Sequence, residues 1–260
     1  MDLGLAGKVA VVTGGSAGIG FTTARMFLKE GARVAVCARD SSRLETAVGE
    51  LSGHGEVFGQ ACDVVDEAAV TAFIDAAAGH YGRLDVLVNN AGASRVASFA
   101  ETGIDDWRKE LDLKYFGLIN PVRAAVGHMK SAGGGRIVNV NAILARQPER
   151  HLVATSAARA GILNLSHSLA TELAPDNILV NTVLLGGIVS EQWHRRYRQA
   201  GASVSEDEWL AEIARDRGVP LGRFGQPEEV AAAILFLASA QASYITGATL
   251  EIGGGVSRYV

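Results

Sequence analysis

The sequence predicts an α/β fold, a doubly wound parallel sheet with helices on both faces in a three-layer sandwich. Short β-branched runs alternate with longer segments of helical periodicity at the spacing of strand–helix–strand crossovers. Several of those runs are apolar on both faces, as strands buried between two helix layers must be. A third observation is the 31 glycines against five prolines, which suits many tight strand-to-helix turns.

Seven strands are expected, at 9–14 (VAVVTG), 33–38 (RVAVCA), 56–63 (EVFGQACD), 85–90 (DVLVNN), 136–141 (RIVNVN), 178–185 (ILVNTVLL) and 249–254 (TLEIGG). Helical periodicity fills the intervals near 18–30, 41–51, 66–80, 104–130, 155–173 and 227–239. Pro227, followed by Glu228 and Glu229, has the chemistry of a first helical turn. Residues 190–218 interrupt the alternation, and such an insertion after a strand end commonly forms a lid. No repeat or low-complexity linker divides the chain, so residues 1–260 are expected to form one domain that binds a dinucleotide.

The composition excludes several function classes. A net charge of −4 with interspersed signs lacks the basic face that a nucleic-acid partner requires. Cys37 and Cys62 give neither metal spacing nor a disulfide framework and read as small apolar residues at strand ends. The first residues lack the charged and apolar regions of a signal peptide, and the longest apolar run, 231–240, is too short to cross a bilayer. A cytoplasmic protein with no membrane partner and no metal is expected.

The segment VVTGGSAGIG, Val11 to Gly20, joins the first strand to the first helix. Its glycines permit a tight turn, and the helix N-terminus beyond it can hold a pyrophosphate. A strand before and a helix after supply the context that a glycine-rich turn alone lacks. Sites that prefer NAD carry an acid at the end of the second strand, for the ribose 2′-hydroxyl. Here Ala38 is followed by Arg39 and only then by Asp40. That order favours a 2′-phosphate, hence NADP(H) over NAD(H), with Arg43 able to assist from the next helix.

The spacing Thr13-Gly14-x-x-x-Gly18-Ile19-Gly20, then Asp63-Val64, NNAG (89–92), GRIVNV (135–140), SLATELAPDNILVNTV (168–183) and the long match over 220–255 resembles the short-chain dehydrogenase/reductase family. The resemblance covers nearly the whole chain. It implies a Rossmann-like sheet of about seven parallel strands, a nicotinamide cofactor, a small-molecule substrate and a homo-oligomer, usually a tetramer. It places Gly14, Ser16, Gly18 and Ile19 at the pyrophosphate, Asp63 and Val64 at the adenine, and Asn90, Ala91 and Gly92 along the adenosine ribose. Ile188 falls at the nicotinamide carboxamide, with Ser190 where the family usually has Thr.

The family's reaction centre is a Ser, a Tyr, a Lys four residues beyond it, and a supporting Asn. The same resemblance places Ala142, Thr155, Arg159 and Lys114 at those positions, so all four are replaced. No Tyr-x-x-x-Lys occurs anywhere in the chain, and the flanks RIVNV and ARAGILNLSHSLA fix the register on both sides. A threonine hydroxyl has no useful acidity near pH 7, and an arginine does not give up its proton. Losing a general acid costs roughly 10²–10⁴-fold, whereas orientation alone supplies roughly 7–11 kcal/mol. Hydride transfer therefore survives if another group carries the proton.

Lys114 is the first candidate, since burial or the nearby Arg159 cation would lower its pKa. His151, one turn before Thr155, carries an imidazole able to exchange a proton and is a second, with His194 in the lid a third. Arg159 is expected to anchor the ribose hydroxyls and Thr155 to polarise the substrate oxygen. Arg146 and Arg150 offer guanidinium groups to a substrate carboxylate. The leading reading is an NADP(H)-dependent oxidoreductase with a non-standard proton relay. Two others stand beside it: a lyase, isomerase or cyclase that holds the cofactor without net redox, and a non-catalytic NADP(H)-binding protein.

Overall fold

A computed structural model describes residues 2–259. Seven strands form one parallel sheet: β1 (Val9–Thr13), β2 (Arg33–Ala38), β3 (Val57–Ala61), β4 (Val86–Asn89), β5 (Gly135–Ala142), β6 (Ile178–Leu185) and β7 (Thr249–Ile252). Their spatial order is β3-β2-β1-β4-β5-β6-β7. The chain winds outward from β1 to β3, then returns to the other side of β1 as β4. The expected Rossmann-like doubly wound α/β sheet is thus present. The expected strands at 56–63 and 85–90 are shorter at both ends, and β5 extends one residue further each way.

Eight helices connect the strands: α1 (Gly18–Lys29), α2 (Ser41–Leu51), α3 (Glu67–Tyr81), α4 (Ile104–Ser131), α5 (Val153–Leu173), α6 (Glu191–Ala200), α7 (Glu206–Asp216) and α8 (Pro227–Ala238). Local chemistry sets where several begin. Asp40 and Asp66 accept the backbone N–H groups of Arg43 and Ala69, capping α2 and α3. Ser205 with Glu208, and Gln226 with Glu229, form reciprocal capping boxes at α7 and α8.

The alternation along β1 shows how the layers form. Val9 and Val11 pack with Phe73, Ile74, Leu118, Val122, Met129 and Ile162 from α3, α4 and α5. Ala10 and Val12 pack with Phe27, Leu28, Leu44, Ile234 and Leu235 from α1, α2 and α8. Each strand side chain is thereby removed from water by one helix layer or the other. The 190–218 insertion forms α6 and α7, held by a small separate cluster of Leu210, Ala214, Val219 and Phe224 against Trp193 and Trp209. Trp193 meets Phe224 edge-on at 4.8 Å. No helix among the described residues is long and apolar enough to cross a membrane.

Asp85, just before β4, pins the start of the central strands. Its carboxylate accepts from Arg83 at 2.7 and 2.6 Å, from Lys8 at 3.3 Å and from the Val9 N–H at 3.0 Å. Burial opposes ionisation there, but these donors and the charges of Lys8 and Arg83 outweigh it and hold the pKa below the ordinary aspartate value. A lowered folded-state pKa stabilises the protein above the unfolded value, and that stability is lost as pH falls through the folded one. Asp85→Ala is expected to cost about 1.5–3 kcal/mol at pH 7. In urea unfolding, the gap from wild type should close as pH falls toward the lowered pKa.

Candidate active site

A cleft of about 1360 Å³ opens across the C-terminal ends of the strands, where the sheet order reverses between β1 and β4. Its first wall is the turn after β1. Thr13 Oγ1 accepts the backbone N–H groups of Asn90 and Ala91, each at 3.0 Å, and Asn90 Nδ2 donates to the carbonyls of Thr13 and Gly14. These bonds lock the end of β4 onto the turn. Gly14 has φ +68°, and a Cβ on Gly20 would stand 2.2 Å from the Gly14 oxygen. The turn closes only because both are glycines. A Cβ on Gly18 would meet nothing within 4 Å, so open space lies over the N-terminus of α1. An exposed backbone N-terminus beside a turn this tight fits a pyrophosphate.

Gly14, Ser16 and Ile19 line the cleft, as do Val64, Asn90, Ala91, Gly92, Ile188 and Ser190. Arg39 and Arg43 line it as well. Asp40 sits between them, but its carboxylate is turned into the cap of α2, accepting from Arg43 N and from Ser42 Oγ at 2.8 Å. Asp63 differs from expectation. It is exposed, its Oδ1 accepts the Val65 N–H at 3.1 Å, and the wall beside it is formed by Cys62 and Val64. Cys37 also faces the cleft, and both cysteines are free and buried.

Beyond the turn lies a cluster of buried charge. Lys114, on α4, lines the cleft with its side chain only 5% exposed. Its Nζ donates to the Ala93 carbonyl and lies 3.2 Å from Glu110 Oε1, one turn earlier on the helix. Burial first, and then the Arg159 cation, draw the Lys114 pKa down to about 8, against the pull of Glu110. Arg159, on α5, also lines the cleft. It donates to Asn141 Oδ1 at 3.1 Å, while Asn141 Nδ2 donates to the Arg159 carbonyl at 3.0 Å. Burial lowers Arg159 to about 10, opposed by Glu110, so it remains a cation at neutral pH.

Two expected roles are corrected by this geometry. Thr155 is fully buried and does not reach the cleft; its hydroxyl donates to Glu110 Oε1 at 2.7 Å. The helix also begins two residues earlier than its periodicity suggests, at Val153, which winds Thr155 into its first turn and toward α4. His151 is exposed and lies outside the cleft wall, its carbonyl accepting the Ala97 N–H. The weaker candidates lie elsewhere too. His194 is paired with Glu206 at 2.6 Å, and the Arg146 guanidinium lies over the Tyr259 ring at 5.3 Å. Arg150 does line the cleft.

Glu110 and Asn141, which contact Lys114 and Arg159 at the cleft wall, were missed by sequence reasoning. For Glu110 a signal exists, a carboxylate four residues before Lys114 on one helix face. For Asn141 the signal is its place at the end of β5, where strand tips converge on the cleft. Among the described residues no group of three or more His, Cys, Asp or Glu side chains is placed to hold a metal.

Known proteins share this architecture. The family model described as Enoyl-(Acyl carrier protein) reductase matches residues 14–257. D-threitol dehydrogenase of Mycolicibacterium smegmatis is 36% identical over 255 residues, covering 98% of this chain and 94% of that protein. A short-chain oxidoreductase from Pseudomonas aeruginosa PAO1, described as containing an atypical catalytic center, superposes in its apo form with a TM-score of 0.96 at 46% identity. The match covers 99% of this chain and 100% of that one. Its NADPH-bound form gives 0.93 at 47% identity, covering 97% and 98%. L-sorbose reductase from Gluconobacter frateurii, complexed with NADPH and L-sorbose, gives 0.95 at 32% identity over the full length of both chains. A family match over almost the whole length, on a sheet wound in this order around this glycine turn, makes the chain a member of the short-chain dehydrogenase/reductase family.

Proposed function

We propose that this protein is an NADP(H)-dependent oxidoreductase acting on a carbonyl or hydroxyl group of a small organic molecule, with Lys114 carrying the proton. The observation behind this reading is Lys114 itself. It is a buried amine on the cleft wall, at the position where the family has its supporting Asn, and it can change protonation near neutral pH. The relatives support redox chemistry, and two of them are described with NADPH bound.

When bound, the nicotinamide supplies or accepts a hydride. The glycine turn and the N-terminus of α1 would hold its pyrophosphate, and Ile188 and Ser190 would flank its carboxamide. Arg39 and Arg43 would meet a 2′-phosphate, while Asp40 is occupied in its helix cap and is poorly free to take ribose hydroxyls. Arg159, braced by Asn141, needs only donors to hold the nicotinamide ribose. Reduction requires a proton on the substrate oxygen as its carbon receives hydride. Two of the three Lys114 protons are directed at Ala93 O and Glu110; the third is free for the cleft. Oxidation runs the same transfer backwards, with the neutral amine as base. Ala142 offers no hydroxyl to polarise that oxygen, and Thr155 is turned from it, so the positive charge of Lys114 and Arg159 takes over the task. Helices α6 and α7, through Gln192, Trp193 and Arg217, would close the substrate end as a lid.

The deciding experiment incubates the protein with NADPH and a panel of small ketones, aldehydes and keto acids, following nicotinamide absorbance and product mass together. Product formation without absorbance change would favour a closed redox cycle, and tight NADPH binding with no turnover would favour a binding protein. With a turned-over substrate, Lys114→Met should lower kcat by about 10²–10⁴-fold and leave NADPH affinity nearly unchanged. A rate equal to wild type across pH would remove Lys114 from the mechanism. For the cofactor, Arg39→Ala combined with Arg43→Ala should weaken NADPH binding by about 10–100-fold, the loss of charge-assisted hydrogen bonds. NADH binding, measured by the same calorimetric titration, should hardly change.

A further inference from the structure

Glu110 is a fully enclosed carboxylate that faces two cations. Its residue is 6% exposed, and one oxygen, Oε1, serves both Lys114 Nζ at 3.2 Å and Thr155 Oγ1 at 2.7 Å. Arg159 supplies the second cation, and its field acts on both Lys114 and Glu110. Among the described residues, Glu110 and Arg159 are the charged groups that shift Lys114. The loop after β4 contributes the Ala93 carbonyl, and its Arg95 is drawn away to Asp106 at 2.9 Å. The end of β5 contributes only the neutral Asn141. One carboxylate thus stands against two cations in a site nearly closed to water, where an unpaired ammonium would shed its proton.

We propose that Glu110 is a positioning residue: its carboxylate, fixed from behind by Thr155, holds the Lys114 ammonium at the cleft wall and keeps it charged beside Arg159. Thr155 then has a use that requires no acidity. Its hydroxyl donates to Glu110 and fixes the orientation of the carboxylate that Lys114 depends on. The residue at the family's tyrosine position supports the replacement acid instead of acting as one. The inference rests on reading Lys114 as the proton carrier, but its physical core, the hold of Glu110 on the Lys114 proton, is measurable without any substrate.

The chain has five lysines, Lys8, Lys29, Lys109, Lys114 and Lys130, few enough for each to be followed by NMR in protein labelled with ¹³C-lysine. The Lys114 signal is assigned by its disappearance in Lys114→Met. In wild type it should titrate near 8, below the ordinary lysine value. In Glu110→Gln, which keeps the shape and an acceptor but removes the charge, it should titrate about one to three pH units lower. Glu110→Asp, which keeps the charge but withdraws it by one methylene, should show a smaller shift in the same direction and serves if the glutamine variant does not fold. An unchanged Lys114 titration in a folded variant, or a wild-type Lys114 that titrates at the ordinary lysine value, overturns the proposal.

The second readout is the pH profile of reduction. Protonated Lys114 is the acid, so the rate should be level below the Lys114 pKa and fall above it, and Glu110→Gln should move that fall to lower pH by the same amount. A purely structural role for Glu110 would lower stability and leave the break in place, which also overturns the proposal. If the NMR shift is observed and no substrate is reduced, the functional reading fails while the role of Glu110 in holding the Lys114 proton stands.

Discussion

The cleft exists because the order in which strands join the sheet reverses between the parallel neighbours β1 and β4, and a few hydrogen bonds hold that junction shut. Adjacent parallel strands that lead to helices on opposite faces leave a crevice at their C-terminal ends. Thr13 and Asn90 close its floor: one hydroxyl takes two backbone N–H groups of the β4 end, and one amide returns two bonds to the β1 turn. The turn is held within ångströms of Ala91 and Asn90, which is why Gly14 and Gly20 tolerate no side chain. The rest of the cofactor half follows, because α1 begins where the turn releases it and its N-terminus faces the same crevice.

A different constraint governs the other half, that of buried charge. Lys114 and Arg159 are both withdrawn from water on one wall, and such cations persist only with compensation. Glu110 and Asn141 provide it by different means. Glu110 brings opposite charge to both cations, whereas Asn141 brings an amide that braces the Arg159 side chain and its backbone at once. Burial first, and then the Arg159 cation, outweigh the single carboxylate and leave Lys114 at about 8. An ordinary surface lysine would stay charged at that pH and make a poor acid–base catalyst.

This difference explains which parts of the molecule were legible in its sequence. The strands at 33–38 and 178–185 and the helix at 41–51 fall where periodicity puts them, because each pattern is set by burial within one element. Arg39, Gly14 and Asn90 line the cleft as expected, because each falls at or just beyond the end of a strand that its own sequence pattern marks. Thr155 was not legible in this way. Its position on α5 follows from spacing, but the direction of its hydroxyl is decided by Glu110, 45 residues away on another helix. Asp63 was not legible in detail either, for one of its oxygens accepts the N–H of Val65 within the loop. Glu110 lay four residues before Lys114 in plain view, yet the same spacing marks many solvated helix pairs of little consequence. Only the depth at which α4 packs turns this pair into a site.

Arg159 shows why the replacements hang together. At the family's lysine position a second titratable amine would compete with Lys114 for the single Glu110 charge, and one of the two would become neutral. An arginine stays charged even when burial brings it down to about 10, so the titration is confined to one group. That fixed charge also depresses Lys114 through space. Thr155 is consistent with this arrangement, because its hydroxyl is buried and donates to Glu110. On the reading proposed above, a proton carried on α4 is served by a permanent cation at 159, a small hydroxyl at 155 and a carboxylate at 110, and the charges at 110 and 159 both act on Lys114.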